Sequence, residues 1–487
     1  MGVILKQSFL NIISTYVGFA LGAINTLFLY PNFMTDEYYG LIGYLISVAN
    51  ILTPLLCVGV QNTIVKFYSS YKVAEEQHKF NFMMFLLPLT MMIPVALIGF
   101  LAYEPISEFI SKQNALIKNY AWIVFIIAAS MAYFEVFYAW TKVQLQSVIG
   151  NFMKEVLHRA IIMILLFALY VNFLTIEQFI YAVVIMYFTR MLIMGIIAFK
   201  IKRPTFLAGL TTDSKSILSY SVLIILAGSI AIVLLDVDKV MLGQYIDIKN
   251  VAYYNVAVFI GIVIAVPSRA MQQITTPITA RLLNENNLEE LADLYKKSSI
   301  NLYIVSGVIF LLIVLNINQL YLLLPEEYSS AVVVVFFISL AKLLENIIGI
   351  NNAIIFNSKY YKTVLLFGLF LAIITVILNM IFIPLWGMNG AGLATLTAFV
   401  LYNVTKLIFV NNKFGIQPFS IATLKTTVLF IVIGISFFFW DFNFYPIISI
   451  AIKSILIVTV CIYGMLKLNL STDLKKIWDK YTPVSRS

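Results

Sequence analysis

Apolar runs of about twenty residues, parted by short polar clusters, recur along the whole chain. A helix rises 1.5 Å per residue, so a run of about 20 residues crosses a hydrocarbon core of roughly 30 Å. Only helices satisfy their own backbone groups within one segment in lipid. The pattern predicts fourteen spanning helices, near residues 8–30, 41–63, 81–103, 119–140, 160–175, 179–199, 217–245, 252–278, 300–324, 331–356, 363–384, 389–410, 424–441 and 446–466. Polar and proline-bearing breaks punctuate them. Pro31-Asn32 ends the first, Lys200–Pro204 the sixth and Pro325-Glu326-Glu327 the ninth, and Pro384–Gly390 parts the eleventh from the twelfth. The expected fold is an all-α integral membrane bundle.

Composition agrees: 61% of residues are hydrophobic and 11% charged, where a soluble domain carries about 25% charged residues. The net charge of +9 would suggest nucleic acid in a soluble protein, but here the charges follow topology. Twenty-four of the 32 Lys and Arg residues fall in tails and loops on one side, Lys142, Lys154, Arg159 and Lys406 among them. Three (Lys112, Lys118, Lys249) fall on the other, and five (Arg190, Lys239, Arg269, Lys342, Lys453) fall inside spans. The positive-inside rule then puts both termini of a multi-pass membrane protein in the cytoplasm, with an even number of spans. The N-terminus shows no signal-peptide cleavage pattern, so the first span is expected to be retained. The outer loops are short, the longest near Tyr103–Lys118, which leaves no room for a soluble module.

Catalytic chemistry finds no footing. His78 and His158 read as loop residues without partners, and Cys57 and Cys461 as small residues in apolar runs. No metal-ligand spacing, phosphate-binding glycine loop or cofactor motif is present. A weak repeat suggests duplication. Tyr39-Gly40 opens the second span with Lys66 27 residues later, and Tyr254-Asn255 opens the eighth with Arg281 27 residues later. Such repeats are common in transporters, with the substrate site between the halves. The expected organisation is an N-terminal lobe (1–200, helices one to six), a cytoplasmic linker (201–216), a C-terminal lobe (217–411, helices seven to twelve), an extra helix pair (412–466) and a cytoplasmic tail (467–487). The lobes would flank a central cavity.

Charges at the centre of a spanning helix cost about 2.5–3.5 kcal/mol each on insertion scales, so the polar groups inside spans are the functional candidates. In the first span Asn11, Thr15, Gly18, Gly22 and Asn25 recur every three or four residues, as either a packing face or a cavity lining. Glu135 in the fourth is either an ion site or a partner for a cation such as Arg190. In the seventh, Asp236 and Lys239 lie about 60° apart and share a face, while Asp238 points elsewhere. The eighth carries Arg269, Gln272, Gln273 and Thr276 as a stripe beyond a kink expected at Pro267, and snorkelling of Arg269 is the other reading. In the tenth, Lys342, Glu345, Asn346, Gly349, Asn352 and Ala353 fall in a sector of about 120°. Lys453 reads as snorkelling. After the last span, Ser471-Thr472-Asp473 caps a basic amphipathic helix with Leu474, Ile477, Trp478 and Tyr481 on one face.

Three motifs carry a family resemblance. Tyr38-Tyr39-Gly40 opens the second span and Gly59–Lys66 closes it; Asp238–Gly243 is followed by Val251-Ala252-Tyr253-Tyr254; and Trp386–Thr395 forms a glycine-rich lead-in to the twelfth span. With fourteen spans, basic loops and no large domain, the chain resembles the polysaccharide (Wzx-type) flippases of the multidrug/oligosaccharidyl-lipid/polysaccharide exporter superfamily. The resemblance implies a non-enzymatic flippase of the bacterial cytoplasmic (inner) membrane. It would carry a polyprenyl-diphosphate-linked oligosaccharide from the inner to the outer leaflet by alternating access, for O-antigen, capsule or related surface polysaccharide. Its partners would be that lipid, membrane lipids and glycan-assembly proteins such as the polymerase, with no nucleic acid. Arg190, Lys239, Arg269 and Lys342 would then meet the diphosphate, and Asn25, Gln272, Gln273, Asn346 and Asn352 the sugar. Glu135, Asp236, Asp238 and Glu345 are the candidates for coupling to a proton or sodium gradient, since the first span lacks the acidic residue of multidrug members. The last two spans would offer a lipid-tail groove. The alternatives are a peptidoglycan-precursor flippase and, from another class, a membrane polysaccharide polymerase.

Overall fold

A computed structural model describes residues 2–71, 73–442 and 444–481. Every regular element among the described residues is a helix. The first half holds α1 (Gly2–Ala23), α2 (Asp36–Cys57), α3 (Ala74–Leu101), α4 (Ile123–Val143), α5 (His158–Tyr170), α6 (Ile176–Ile201) and α7 (Ser214–Tyr245). Then come α8 (Lys249–Ile262), α9 (Val266–Asn284), α10 (Leu288–Tyr321), α11 (Val332–Ile347), α12 (Asn351–Asn357), α13 (Tyr361–Phe414), α14 (Ile421–Phe438), α15 (Pro446–Lys467) and the tail helix α16 (Thr472–Tyr481). Among the described residues, eleven helices are long and apolar enough to cross a membrane. One of them, Lys362–Phe414, holds a non-helical residue, Gly387 (φ 56°, ψ −132°), within the break expected at Pro384–Gly390. The side chains of Ile477 and Tyr481, expected on the apolar face of the tail helix, lie outside the described residues, as do Lys72 and Arg486.

The chain forms two compact units, Met1–Asn255 and Val256–Ser487. In the first, α4 is central: α2 and α6 pack on it, and α7 packs on α2. Ile127, Ala132, Phe134, Val136 and Trp140 of α4 are buried there with Leu41, Tyr44 and Leu45 of α2. In the second unit α10 is central, packed by α11, α14 and α15. Its Tyr303, Ile304 and Leu311 share a core with Phe430, Ile433, Ile457 and Cys461. Large apolar residues such as Phe100, Leu101, Phe438 and Phe439 are exposed. In water so much exposed apolar surface would drive association; a bilayer accommodates it.

Four sequence expectations are corrected. The segment before the fifth expected span is not a loop. Helix is continuous from Val148, through a π-helical stretch at Met153–Leu157, into α5, so Lys154, His158 and Arg159 are helical. The sequence GNFMKEVLHR reads as a loop because three charges interrupt the apolar run, but Lys154 pairs with Glu135 of α4, and Glu155 with Arg159 one turn along the same helix. His78 is likewise helical, in the first turns of α3. The tenth span is not continuous: Gly349 adopts φ 55° between α11 and α12. Its absent Cβ would lie 2.8 Å from the Ser299 backbone nitrogen, so the tight approach to α10 requires glycine. Lys406, expected in a loop, is 1% exposed within α13.

Candidate functional site: buried ionic clusters

In the first unit, α1 carries a π-helical stretch at Ile24–Leu29, packed against the Val148–Tyr170 helix that carries the other. π-Bulges often mark functional sites. Gly18 lets the two helices touch: a Cβ there would lie 2.3 Å from the Glu155 carbonyl oxygen. Asn11 donates to Ser147 Oγ (3.0 Å) and Asn25 to the Arg159 carbonyl (2.8 Å). The polar face of the first span thus packs on a helix. Among the described residues, the buried Asn11 Oδ1 and Asn25 Oδ1 have no hydrogen-bond partner.

Beside this contact lies an ionic cluster from three helices. Lys154 Nζ reaches Glu135 Oε1 at 2.6 Å, and Arg159 Nη1 reaches Glu155 Oε2 at 3.3 Å. Glu135 therefore pairs with Lys154, not with Arg190. Arg190 is 7% exposed, and among the described residues no carboxylate lies within 4.0 Å of it. Its guanidinium carbon sits 4.4 Å from the Phe134 ring centroid and 4.9 Å from that of Tyr187, and its buried Nε has no hydrogen-bond partner. Lys142 Nζ lies 3.9 Å over Tyr138. Against Glu135 and Glu155 stand Lys142, Lys154, Arg159 and Arg190, an excess of two positive charges. Aromatic faces stabilise a cation without neutralising it. Arg190 is thus a buried guanidinium whose fork remains available to an anion.

α7 contributes a different arrangement. Asp236 accepts from Ser47 Oγ (2.8 Å), Asn50 Nδ2 (3.0 Å) and Lys239 Nζ (3.2 Å). Asp238 accepts from Tyr254 OH at 2.7 Å, and Asp36 from Tyr253 OH at 2.8 Å. The turn between α7 and α8 is held by Asn114, which lies between α3 and α4. It donates to the Gly243 and Ile246 carbonyls (2.7 and 2.9 Å) and accepts from the Ile248 N–H (2.9 Å). Lys239 is therefore neutralised within its own helix.

In the second unit, the break at Gly349 sends Asn346 and Asn352 to different tasks. Asn346 Nδ2 donates to the Ile264 carbonyl (2.8 Å) and to Ser306 Oγ (2.7 Å), a packing role. Asn352 Oδ1 accepts from Lys406 Nζ at 3.0 Å. Lys342 Nζ pairs with Glu345 Oε2 at 3.0 Å and lies 4.1 Å over Phe399, while Lys406 Nζ lies 4.0 Å over Tyr402. Lys342, Glu345, Asn352 and Lys406 thus form one group, of which Lys406 is the member that sequence reasoning missed. Its signal was the spacing of Phe399, Tyr402 and Lys406 along one face of a helix. Arg269, Gln272 and Gln273 are exposed on α9, which starts just past a 3-10 turn at Val263–Ala265. Lys453 does not snorkel: its side chain is buried and pairs with Asp441 at 2.9 Å. That pair borders an apolar groove of about 260 Å³ lined by Val314, Leu315, Phe336 and Phe438. Cys57 and Cys461 are buried free thiols.

A family model described as polysaccharide biosynthesis protein matches residues 4–267. Among solved structures, the lipid II flippase MurJ in an inward closed conformation superposes with a TM-score of 0.69 at 16% identity, over 94% of this chain and 99% of that one. A multidrug resistance MATE family transporter of the MOP superfamily, inward-facing, gives 0.66 at 14% identity, over 83% and 98%. An outward-facing MATE family transporter gives 0.55 at 15%, over 84% and 96%. At such identities the likeness is one of fold. Comparison of the sequence with curated proteins returns no match.

Proposed function

The chain belongs to the polysaccharide biosynthesis protein family, and on that premise we propose that it is a flippase for a polyprenyl-diphosphate-linked oligosaccharide. It moves the head group from the inner to the outer leaflet of the cytoplasmic membrane by alternating access, with fourteen spans and both termini cytoplasmic. The product feeds O-antigen, capsule or related polysaccharide assembly, without catalysis by this chain. The observation that carries the reading is Arg190. A guanidinium buried at the membrane interior, unpaired with any carboxylate among the described residues, within a cluster of excess positive charge, is costly unless a mobile anion uses it. A diphosphate is such an anion, and an arginine fork matches its oxygens. Glu135, whose ion-pair partner among the described residues is Lys154 at 2.6 Å, is the coupling candidate of this unit. The groove beside Lys453 suits part of the prenyl tail.

A lipid-linked peptidoglycan precursor is the second reading, favoured by the fold shared with the lipid II flippase. Purified full-length protein in proteoliposomes decides between them. Translocation is followed for a polyprenyl-diphosphate oligosaccharide, for the peptidoglycan precursor and for a polyprenyl monophosphate. Saturable acceleration of the first, with the glycan length unchanged, is expected. Faster movement of the second transfers the assignment to it, and acceleration of neither overturns the proposal.

A further inference from the structure

The ionic group of the second unit is smaller than that of the first: one carboxylate, Glu345, stands with two ammonium groups, Lys342 and Lys406. Lys342 and Lys406 are both held from behind. Phe399 backs Lys342, while Tyr402 and the Asn352 carbonyl oxygen hold Lys406. Phe399, Tyr402 and Lys406 lie on one face of α13, so neither ammonium depends on Glu345 alone for its position. Exposure rises outward through the group. Lys406 is 1% exposed, and the side chains of Lys342 and Glu345 are 12% and 29% exposed. The carboxylate is thus the most exposed of the three charged groups. It sits in the last turn of α11, close to the left-handed Gly349 that ends the helix.

We propose that Glu345 is a built-in stand-in for a phosphate group: between transport events it occupies the anion position that Lys342 and Lys406 form, and it yields that position when a phosphate arrives. This rests on the flippase reading above and adds how one of its cation sites is regulated. The charges support it. A single carboxylate leaves the group with one positive charge in excess, whereas a diphosphate brings enough negative charge for both lysines. Two buried lysines without a competitor would also hold a diphosphate too firmly for turnover. A tethered carboxylate that returns to the site lowers the affinity and speeds release, because ligand and side chain compete for the same ammonium groups.

The test uses full-length protein in nanodiscs with a 55-carbon polyprenyl diphosphate as probe, inorganic pyrophosphate as a second arm and the uncharged polyprenol as control. Glu345→Gln is expected to bind the diphosphate lipid about tenfold more tightly than wild type, to release it more slowly and to translocate it more slowly. A tenfold change is the size expected from removing one buried charge competitor. Lys406→Met is expected to weaken binding about tenfold, Lys406→Arg to restore most of it, and Glu345→Gln with Lys406→Met to return near wild type. Tightening for the lipid alone assigns the site to the lipid head group, and tightening for pyrophosphate as well makes free phosphate a competitor for it. Unchanged or weaker binding by a normally folded Glu345→Gln protein overturns the stand-in role, even if the lysine variants fail to fold. Wild-type protein that binds neither diphosphate overturns the flippase reading along with it.

Discussion

Removing the Asp236 carboxylate tests whether the network at the end of α7 is a buried, satisfied one. In Asp236→Ala, Lys239 loses its counter-ion, and Ser47 and Asn50 lose an acceptor at 2.8 and 3.0 Å. The Asp236 and Lys239 side chains are 9% and 19% exposed, so little water replaces the carboxylate. Breaking a buried pair by removing one partner costs about 3–5 kcal/mol. At roughly 2–4 °C per kcal/mol for a unit of this size, the unfolding temperature should fall by several degrees at the least. Substituting both charges, as Asp236→Leu with Lys239→Met, removes the unpaired ammonium. It should recover most of the loss but not all, because Ser47 and Asn50 still lack an acceptor, at about 1–3 kcal/mol for unsatisfied buried groups. Tryptophan-fluorescence melting of detergent-solubilised protein reads all three. A fall of less than about 2 °C for Asp236→Ala, or a double variant worse than the single one, would refute the reasoning.

Asn114→Ala removes three hydrogen bonds that hold the turn between α7 and α8. At about 0.5–1.5 kcal/mol each, the expected result is faster hydrogen exchange across residues 243–251, with exchange in α10 unchanged. Gly349→Ala must place a methyl 2.8 Å from the Ser299 nitrogen at a φ of 55°. A loss of about 2–4 kcal/mol follows from strain and crowding together, read as a lower melting temperature, and an unchanged one would contradict the close approach. Arg190→Gln should leave the fold intact, because the side chain makes no ion pair to break, and should cut transport of a diphosphate-linked glycan at least tenfold.

How much of this was legible in the chain depends on how local the information is. Spacing alone puts Asp236 and Lys239 on one face, because three residues on a helix return to within about 60°. It does not reveal Ser47 and Asn50, which come from a helix nearly two hundred residues earlier. The pairing of Glu135 with Lys154 was hidden twice. The charges of residues 154–159 make a helical segment look like a loop, and the partner belongs to another helix. Lys406 was hidden by the rule that served best elsewhere: cations near the end of a span normally sit in the cytoplasmic loop. Here the helix continues to Phe414, which leaves the lysine two turns inside. Gly349 shows the converse. A polar stripe in one sector presumes an unbroken helix, and a single left-handed residue redirects everything after it.

If the buried, uncompensated Arg190 serves a translocated diphosphate, its loss must show in the rate of transfer. The most direct measurement is the initial rate of leaflet transfer of a polyprenyl-diphosphate oligosaccharide in proteoliposomes, for wild type, Arg190→Gln and Arg190→Lys at equal amounts of folded protein. Wild type should transfer rapidly, Arg190→Gln should lose at least tenfold, and Arg190→Lys, which keeps the charge but not the fork, should retain part of the rate. Equal rates for wild type and Arg190→Gln would contradict that role.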